Sequence, residues 1–242
     1  MTKVPKWLGD TMEVVYQRFM YETVITNVEY LDEKLKRVRF EGDFRKIKFM
    51  PGNVVKVRVN DMEYRHYTLS AFDAKTGFCE IVFYLHGLGP GSNWAEGLKM
   101  GDRAKLLGPG GKLYYSENRV NHFLFGDETS LGWMKCMEEE AERRGEFFFG
   151  FVELDEPHQD WAERLGSSVK IVGKSSEFPA QPVIDIVKEW EEDFWLTAVD
   201  TVFYLTGRTK SIQAFRKFLL SKGISSKKIK TEPYWADGKS GL

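Results

Sequence analysis

Short runs in which apolar and polar residues alternate fill the first half of the chain: Tyr21–Val28, Leu35–Phe40, Val54–Val59, Tyr64–Ser70, Cys79–Leu85 and Arg103–Leu107. Pro51-Gly52-Asn53, Asn60-Asp61 and Lys75-Thr76-Gly77 separate several of them with residues suited to turns. Such alternation places successive side chains on opposite faces of a strand. Six runs at this spacing, with one short helix over Ser92 to Lys99, predict an antiparallel six-stranded β-barrel. Within the fifth run, Ile81-Val82-Phe83-Tyr84-Leu85 is continuously apolar and reads as a buried strand. The pattern changes near Asn118–Asn121. Beyond it, strand-like pieces (His122–Phe125, Phe147–Val152, Val169–Ile171, Thr201–Leu205) alternate with helix-like ones (Thr129–Arg144, Gln159–Leu165, Pro182–Trp190, Ser211–Ser221). That is the pattern of a parallel sheet wrapped by helices. Two domains are expected, 1–119 and 120–242, with no internal repeat or low-complexity segment.

Two segments of the first half carry candidate chemistry. In Arg65-His66-Tyr67-Thr68-Leu69-Ser70, a strand puts Arg65 and Tyr67 on one face and Thr68 on the other. Arginine offers a planar fork of donors for phosphate oxygens, and tyrosine offers an aromatic face with a polar tip. The second segment, His86-Gly87-Leu88-Gly89-Pro90-Gly91-Ser92-Asn93-Trp94-Ala95, is a glycine-rich turn into a helix, with Ser92 or Asn93 available as the cap. Backbone N–H groups and the positive end of a helix dipole suit a pyrophosphate there. Read singly, the first segment is an ordinary half-buried strand and the second a strand-to-helix turn. In this order they point to a flavin nucleotide.

Composition narrows the classes. The 242 residues, 42% of them hydrophobic, suffice for one large domain or two ordinary ones. Lys+Arg 35 against Asp+Glu 36 leaves a net charge of -1, so no basic field points to nucleic acid or an anionic membrane. Cys79 and Cys136 lie far apart and read as reduced thiols. No apolar stretch is long enough for a membrane span, and Met1-Thr2-Lys3-Val4-Pro5-Lys6 precedes no signal-peptide core. A cytoplasmic protein without membrane insertion is expected. His66, His86, His122 and His158 are scattered singly and no cysteine cluster exists, so no metal site is expected.

The chain resembles the siderophore-interacting proteins, flavin-dependent ferric-siderophore reductases of the ferredoxin–NADP reductase superfamily. Arg65-His66-Tyr67-Thr68 carries the resemblance, with His86-Gly87, Gly89-Pro90, Ser92-x-Trp94-Ala95 and Gly108-Pro109-Gly110-Gly111. Gly126-Asp127-Glu128-Thr129-Ser130-Leu131, Gly207 and Tyr234-Trp235 continue it through the second half. The resemblance implies an FAD-binding β-barrel followed by an NAD(P)H-binding-like α/β domain. It implies FAD held by Arg65, His66, Tyr67, Thr68, His86, Gly87, Gly91, Ser92, Asn93 and Trp94. His86 either passes beside the ribityl chain or adenine, or bonds backbone. NADPH or NADH would meet Gly126, Asp127, Glu128, Thr129, Ser130, Gly207 and Arg208, with Thr129 and backbone facing the ligand and the carboxylates organising the loop. Asp127 and Thr129 are alternatively just the cap of the helix starting near Ser130.

Departures from the family pattern matter. Arg208 and Lys210 stand after Gly207 where many members are acidic, which suits the 2′-phosphate of NADPH or, more blandly, a solvated turn. Ala236-Asp237-Gly238-Lys239 replaces basic residues after Tyr234-Trp235, removing an electrostatic grip on an anionic ferric siderophore. Trp235 either covers the flavin or packs at a domain interface. No side chain is expected to be catalytic in itself, with Thr68 and Trp235 as candidates beside the flavin, because the cofactor carries the chemistry from nicotinamide through flavin to Fe(III). Lys56, Arg58 and Arg65 either draw a ferric siderophore or other ferric chelate toward the flavin or form a solvated face. Two further readings stay open. One is a general flavin reductase, or one served by a ferredoxin docking on Lys217, Lys222, Lys227, Lys228 and Lys230. The other is a non-enzymatic flavin or siderophore binder.

Overall fold

A computed structural model describes residues 19–117, 121–190 and 200–238. Met1–Lys6, the 119/120 boundary, Lys239 and all but the last residue of the Asn118–Asn121 transition lie outside them. The chain forms two compact units, Met1–Tyr114 and Tyr115–Leu242.

The first unit is one antiparallel sheet of β1 (Met20–Asp32), β2 (Leu35–Gly42), β3 (Val54–Asn60), β4 (Glu63–Thr68), β5 (Ala71–Asp73), β6 (Phe78–Tyr84) and β7 (Arg103–Gly110). Its order is β4-β3-β7-β1-β2-β6-β5, so β4 and β5 form opposite edges. Only Leu69 and Ser70 separate those edge strands in sequence. A flat sheet of this many strands would set its edges about 29 Å apart. Three peptide steps from Thr68 to Ala71 reach only about 10 Å. The sheet therefore curls toward a barrel left open between β4 and β5, with the Leu69 N–H on the Asn53 carbonyl before β3 at 3.3 Å and the Ser70 N–H on the Glu80 carbonyl of β6 at 2.9 Å. Inside lie Ile25, Val38, Phe40, Val55, Val57, Leu69, Cys79, Ile81 and Phe83. The Ile81–Leu85 run is not buried throughout. Ile81, Phe83 and Leu85 are buried while Val82 and Tyr84 are half-buried, since an antiparallel strand turns one face inward.

The short helix α1 spans Pro90–Gly97 rather than 92–99. Neither Ser92 nor Asn93 caps it. Gly89, at φ 95, is the N-cap residue and Pro90 begins the first turn, its fixed φ and missing N–H suiting that position. The Ser92 hydroxyl instead accepts from the Gly87 N–H at 3.0 Å.

The second unit is a parallel sheet of β8 (Asn121–Asp127), β9 (Phe147–Leu154), β10 (Lys170–Gly173), β11 (Thr201–Arg208) and β12 (Ile229–Trp235). Around it lie α2 (Leu131–Arg144), α3 (Trp161–Arg164), α4 (Gln181–Lys188) and α5 (Thr209–Ser221). The order β10-β9-β8-β11-β12 runs outward from β8, then restarts on its other side with β11. The carboxyl ends of β8 and β11 thus flank the switch point where such sheets bind ligands. Every residue of β11, and all but the first of β8, is buried, as expected of central parallel strands. β12 was not expected as a strand: Pro233 interrupts it, which an edge position tolerates. Cys79 and Cys136 are buried thiols, and among the described residues no helix is long and apolar enough to cross a membrane.

Candidate functional site

In the barrel, β4 pairs with β3 so that Tyr67 faces Val55 and Arg65 faces Val57, while His66 faces Lys56 and Tyr64 faces Arg58. Arg65 and Tyr67 therefore share one face. Lys56 and Arg58 lie on the other with His66, which corrects the grouping of Lys56, Arg58 and Arg65 into one basic patch; the period of two separates them. Partial burial and the charge of Lys56 hold the His66 pKa below its ordinary value.

The two barrel motifs meet at Gly91. A Cβ there would lie 2.7 Å from the Tyr67 hydroxyl and 3.1 Å from Arg65 Cγ, so the first turn of α1 lies directly on the Arg65–Tyr67 face. No side chain caps this helix end. Its amide dipoles therefore open beside the aliphatic stem of Arg65 and the Tyr67 hydroxyl, an arrangement that suits a phosphate group. Arg65 Nη2 meets Glu63 at 3.1 Å and Nη1 donates to the Tyr64 carbonyl at 3.0 Å. Trp94 stacks on Tyr67 with centroids 6.0 Å apart, and Phe83 meets Tyr67 edge-on at 4.8 Å. Burial raises the Tyr67 pKa against the pull of Arg65, keeping the phenol neutral. Thr68 ends β4 opposite Val54, and Asn93 is exposed. His86 Nδ1 accepts from the Leu88 N–H at 3.1 Å, a tie within the loop that leads to α1, and burial lowers its pKa.

At the switch point of the second unit, Asp127 ends β8 with its carboxylate buried. Oδ1 accepts from the Thr129 N–H at 2.9 Å, and Oδ2 accepts from the Trp235 indole at 2.6 Å. The carboxyl carbon sits 2.5 Å from where a Gly207 Cβ would be, at φ +90, so glycine is required there. A Gly126 Cβ would likewise strike Ser130, whose hydroxyl takes the Thr206 hydroxyl at 2.8 Å. Burial and the Glu128 charge raise the Asp127 pKa. Glu128, also buried, accepts from the Asp155 N–H at 2.9 Å and pairs with Lys174. Of the Asp127–Ser130 loop only Thr129 is more than slightly exposed.

The fold also gathers residues that sequence reasoning kept apart. Ligand atoms of Glu128, Asp155 and His158 lie within 4.8 Å of one another, with Lys174 Nζ already at Glu128 and 3.5 Å from Asp155 as the cation of the cluster. Burial opposes the Lys174 charge, yet the neighbouring carboxylates hold its pKa above normal. Glu153, beside Asp127 on β9, is a buried carboxylate that nothing in the sequence distinguished. Arg208 is 6% exposed; its guanidinium bonds both oxygens of Asp237 at 3.1 Å and the Ser175 carbonyl at 2.9 Å, and Lys210 joins Asp237 at 3.1 Å. His122 sits at the opposite end of β8, 2.9 Å from Glu146.

Residues 54–113, which contain the Arg65–Thr68 strand, α1 and the cradle at Gly91, match the family model described as the siderophore-interacting FAD-binding domain. The match covers about a quarter of the chain, within the first unit. Over a longer span, the chain is 27% identical over 180 residues to the ferric vibriobactin reductase ViuB of Vibrio cholerae, covering 73% of the chain. It spans 65% of that protein's length. It is 26% identical over 224 residues to the toluate 1,2-dioxygenase electron transfer component of Pseudomonas putida, over 86% of the chain and 66% of the relative. The siderophore-interacting protein of Acinetobacter baumannii shares the fold at TM-score 0.73 and 17% identity, over 91% of this chain and 92% of that one. The antiparallel sheet of the first unit and the parallel sheet of the second thus have the fold of the siderophore-interacting proteins and ferredoxin reductases among the solved structures.

Proposed function

We propose that this protein is an FAD-dependent ferric-siderophore reductase that takes electrons from NADPH or NADH and releases Fe(II) in the cytoplasm. The observation that carries the reading is the convergence of Arg65, Tyr67 and the Gly91 backbone inside the matched span. Residues 1–119 act as the flavin domain and 120–242 as the nicotinamide domain. Arg65 binds phosphate after exchanging its Glu63 partner, the first turn of α1 supplies backbone N–H groups, and the Tyr67–Trp94 stack gives the flavin an apolar wall. His86 and Gly87 set the loop into α1, and Thr68 ends the strand along the cofactor. On the second unit, Thr129 and backbone at Gly126 and Gly207 face the donor, while Asp127 and Glu128 hold the loop.

When bound, FAD couples the paired electrons of a reduced nicotinamide to the single electrons that Fe(III) accepts. Each reduced nicotinamide serves a pair of ferric ions and releases one proton. Fe(III) is a hard trication gripped by hydroxamate or catecholate oxygens, and Fe(II) is held far more weakly, so reduction frees the metal. The test is anaerobic absorbance of the FAD-loaded protein. NADPH or NADH should bleach the flavin band, and a ferric catecholate should restore it while a ferrous-chelating dye colours. A band untouched by either nicotinamide sinks the donor assignment. Arg65→Ala should weaken FAD by roughly 2 kcal/mol, the low end for a charged pair because Glu63 competes for the guanidinium.

One observation favours a second donor. The Arg208 and Lys210 charges are met by Asp237, so the basic pair does not stand open to a 2′-phosphate. An iron–sulfur ferredoxin docking electrostatically would make turnover fall steeply with salt.

A further inference from the structure

Lys36 interrupts the alternation of β2: it and Leu35 are both wholly buried, and nothing described above uses its charge. Its ammonium donates to the carbonyls of Ala95 and Glu96 at 2.9 Å and of Leu98 at 2.8 Å. Ala95 and Glu96 lie in the last turn of α1 and Leu98 is its C-cap residue, where a helix leaves carbonyls short of partners; Ala95 accepts from the Leu98 N–H as well, at 3.4 Å. A lysine has three N–H donors, and all find acceptors on one helix end. Burying a charge is costly unless fully bonded, and here the partial negative charge of the helix terminus meets it. The opposite end of the same helix, about 12 Å away, is the cradle at Gly91.

The geometry points to Lys36 as the positioning residue of the FAD pyrophosphate site, acting through α1 and touching no cofactor. This rests on the reading that the first turn of α1 holds the pyrophosphate. Gly87, Gly89 and Gly91 leave the entry to α1 pliable, tied by the Leu88–His86, Gly87–Ser92 and Asn93–Gly89 hydrogen bonds and by packing on Tyr67. Lys36 clamps the far end to β2, whose register with β6 is set by the Leu35–Tyr84 and Lys36–Phe83 pairs. The first-turn amides are thereby held at one height over the Arg65–Tyr67 face. The same buried charge offsets the negative helix end and leaves the positive end to the ligand.

The experiment compares wild type and Lys36→Met for FAD, ADP and riboflavin by equilibrium titration, with folding checked by circular dichroism. ADP carries the pyrophosphate and riboflavin lacks it. The variant should weaken FAD and ADP alike by about tenfold, equivalent to about 1.4 kcal/mol, and leave riboflavin unchanged. Equal loss for all three ligands, or none, overturns the proposal. If wild type fails to bind ADP, and Gly91→Ala retains FAD, the pyrophosphate reading itself falls and takes the proposal with it. Should Lys36→Met not fold, wild type labelled with 15N-lysine serves instead. Its slowly exchanging Nζ resonance should shift with ADP and not with riboflavin, and a resonance unmoved by saturating ADP overturns the assignment.

Discussion

The indole N–H of Trp235 donates to Asp127 Oδ2 across 2.6 Å, tying the edge strand β12 to the carboxyl end of β8. This places Trp235 within the second unit as the partner of a buried carboxylate. Trp235→Phe keeps most of the ring and removes the donor, leaving the Asp127 carboxylate to the N–H and hydroxyl of Thr129 and the Ser130 N–H. The expected cost is about 1–3 kcal/mol, the range for stranding a buried acceptor, read as a lower urea midpoint at unchanged slope. A midpoint equal to wild type would show that the bond contributes nothing.

Gly91→Ala tests the cradle on the other unit. The new methyl group meets the Tyr67 hydroxyl at 2.7 Å, so α1 must lift away from the Arg65–Tyr67 face. FAD content after purification should fall at least tenfold, about 1.4 kcal/mol. Adding Tyr67→Phe deletes the clashing oxygen and should restore part of the flavin. A double variant no better than Gly91→Ala alone would place the obstruction at Arg65 instead.

Glu153 gives the second unit a pH-dependent stability. Burial, with the Asp127 charge in support, lifts its pKa from 4.5 to about 7 against the Ala180 N–H, Ser211 and Lys174, which favour the anion. The folded protein keeps a proton that the unfolded chain loses above about pH 4.5. Stability therefore declines as pH rises from about 4.5 to about 7 and levels off beyond, by at most roughly 3 kcal/mol. Glu153→Gln should flatten that slope in denaturant titrations across the window. A slope identical to wild type would remove Glu153 as its source.

Asp237→Asn tests donor choice without burying a new charge. Arg208 and Lys210 hold the Asp237 pKa below the ordinary carboxylate value, so Asp237 is an anion that neutralises both. Removing its charge should lower KM for NADPH while KM for NADH stays constant. Equal KM changes for the two nucleotides would separate Arg208 from the 2′-phosphate.

How much of this was legible in sequence depends on the range of the physics. Strands β1 to β4, β6 and β7 followed from alternation because side-chain direction is set residue by residue. The parallel unit followed from its run of strand and helix periods. Strand β5, three residues long, and β12, with Pro233 and little apolar content, left too short or too mixed a pattern. The Asp127–Thr129 turn was visible as a cap because its partners are sequence neighbours.

Within the chain itself, then, periodicity determined which segments become strands and helices, and the Arg65–Thr68 and His86–Ala95 motifs marked the strand and turn proposed to hold the flavin. Tertiary structure alone decided that Gly91 lies on Tyr67, that Lys36 reaches carbonyls at the C-terminal end of α1, that Trp235 completes the bonding of Asp127, and that Asp237 takes the charge of Arg208. Each of those partners is distant in sequence, and which of many lysines, carboxylates or rings meets across such a gap is set by strand order and the curl of the sheet. Hydrophobic periodicity carries no record of that choice, since it encodes only which side of an element faces inward.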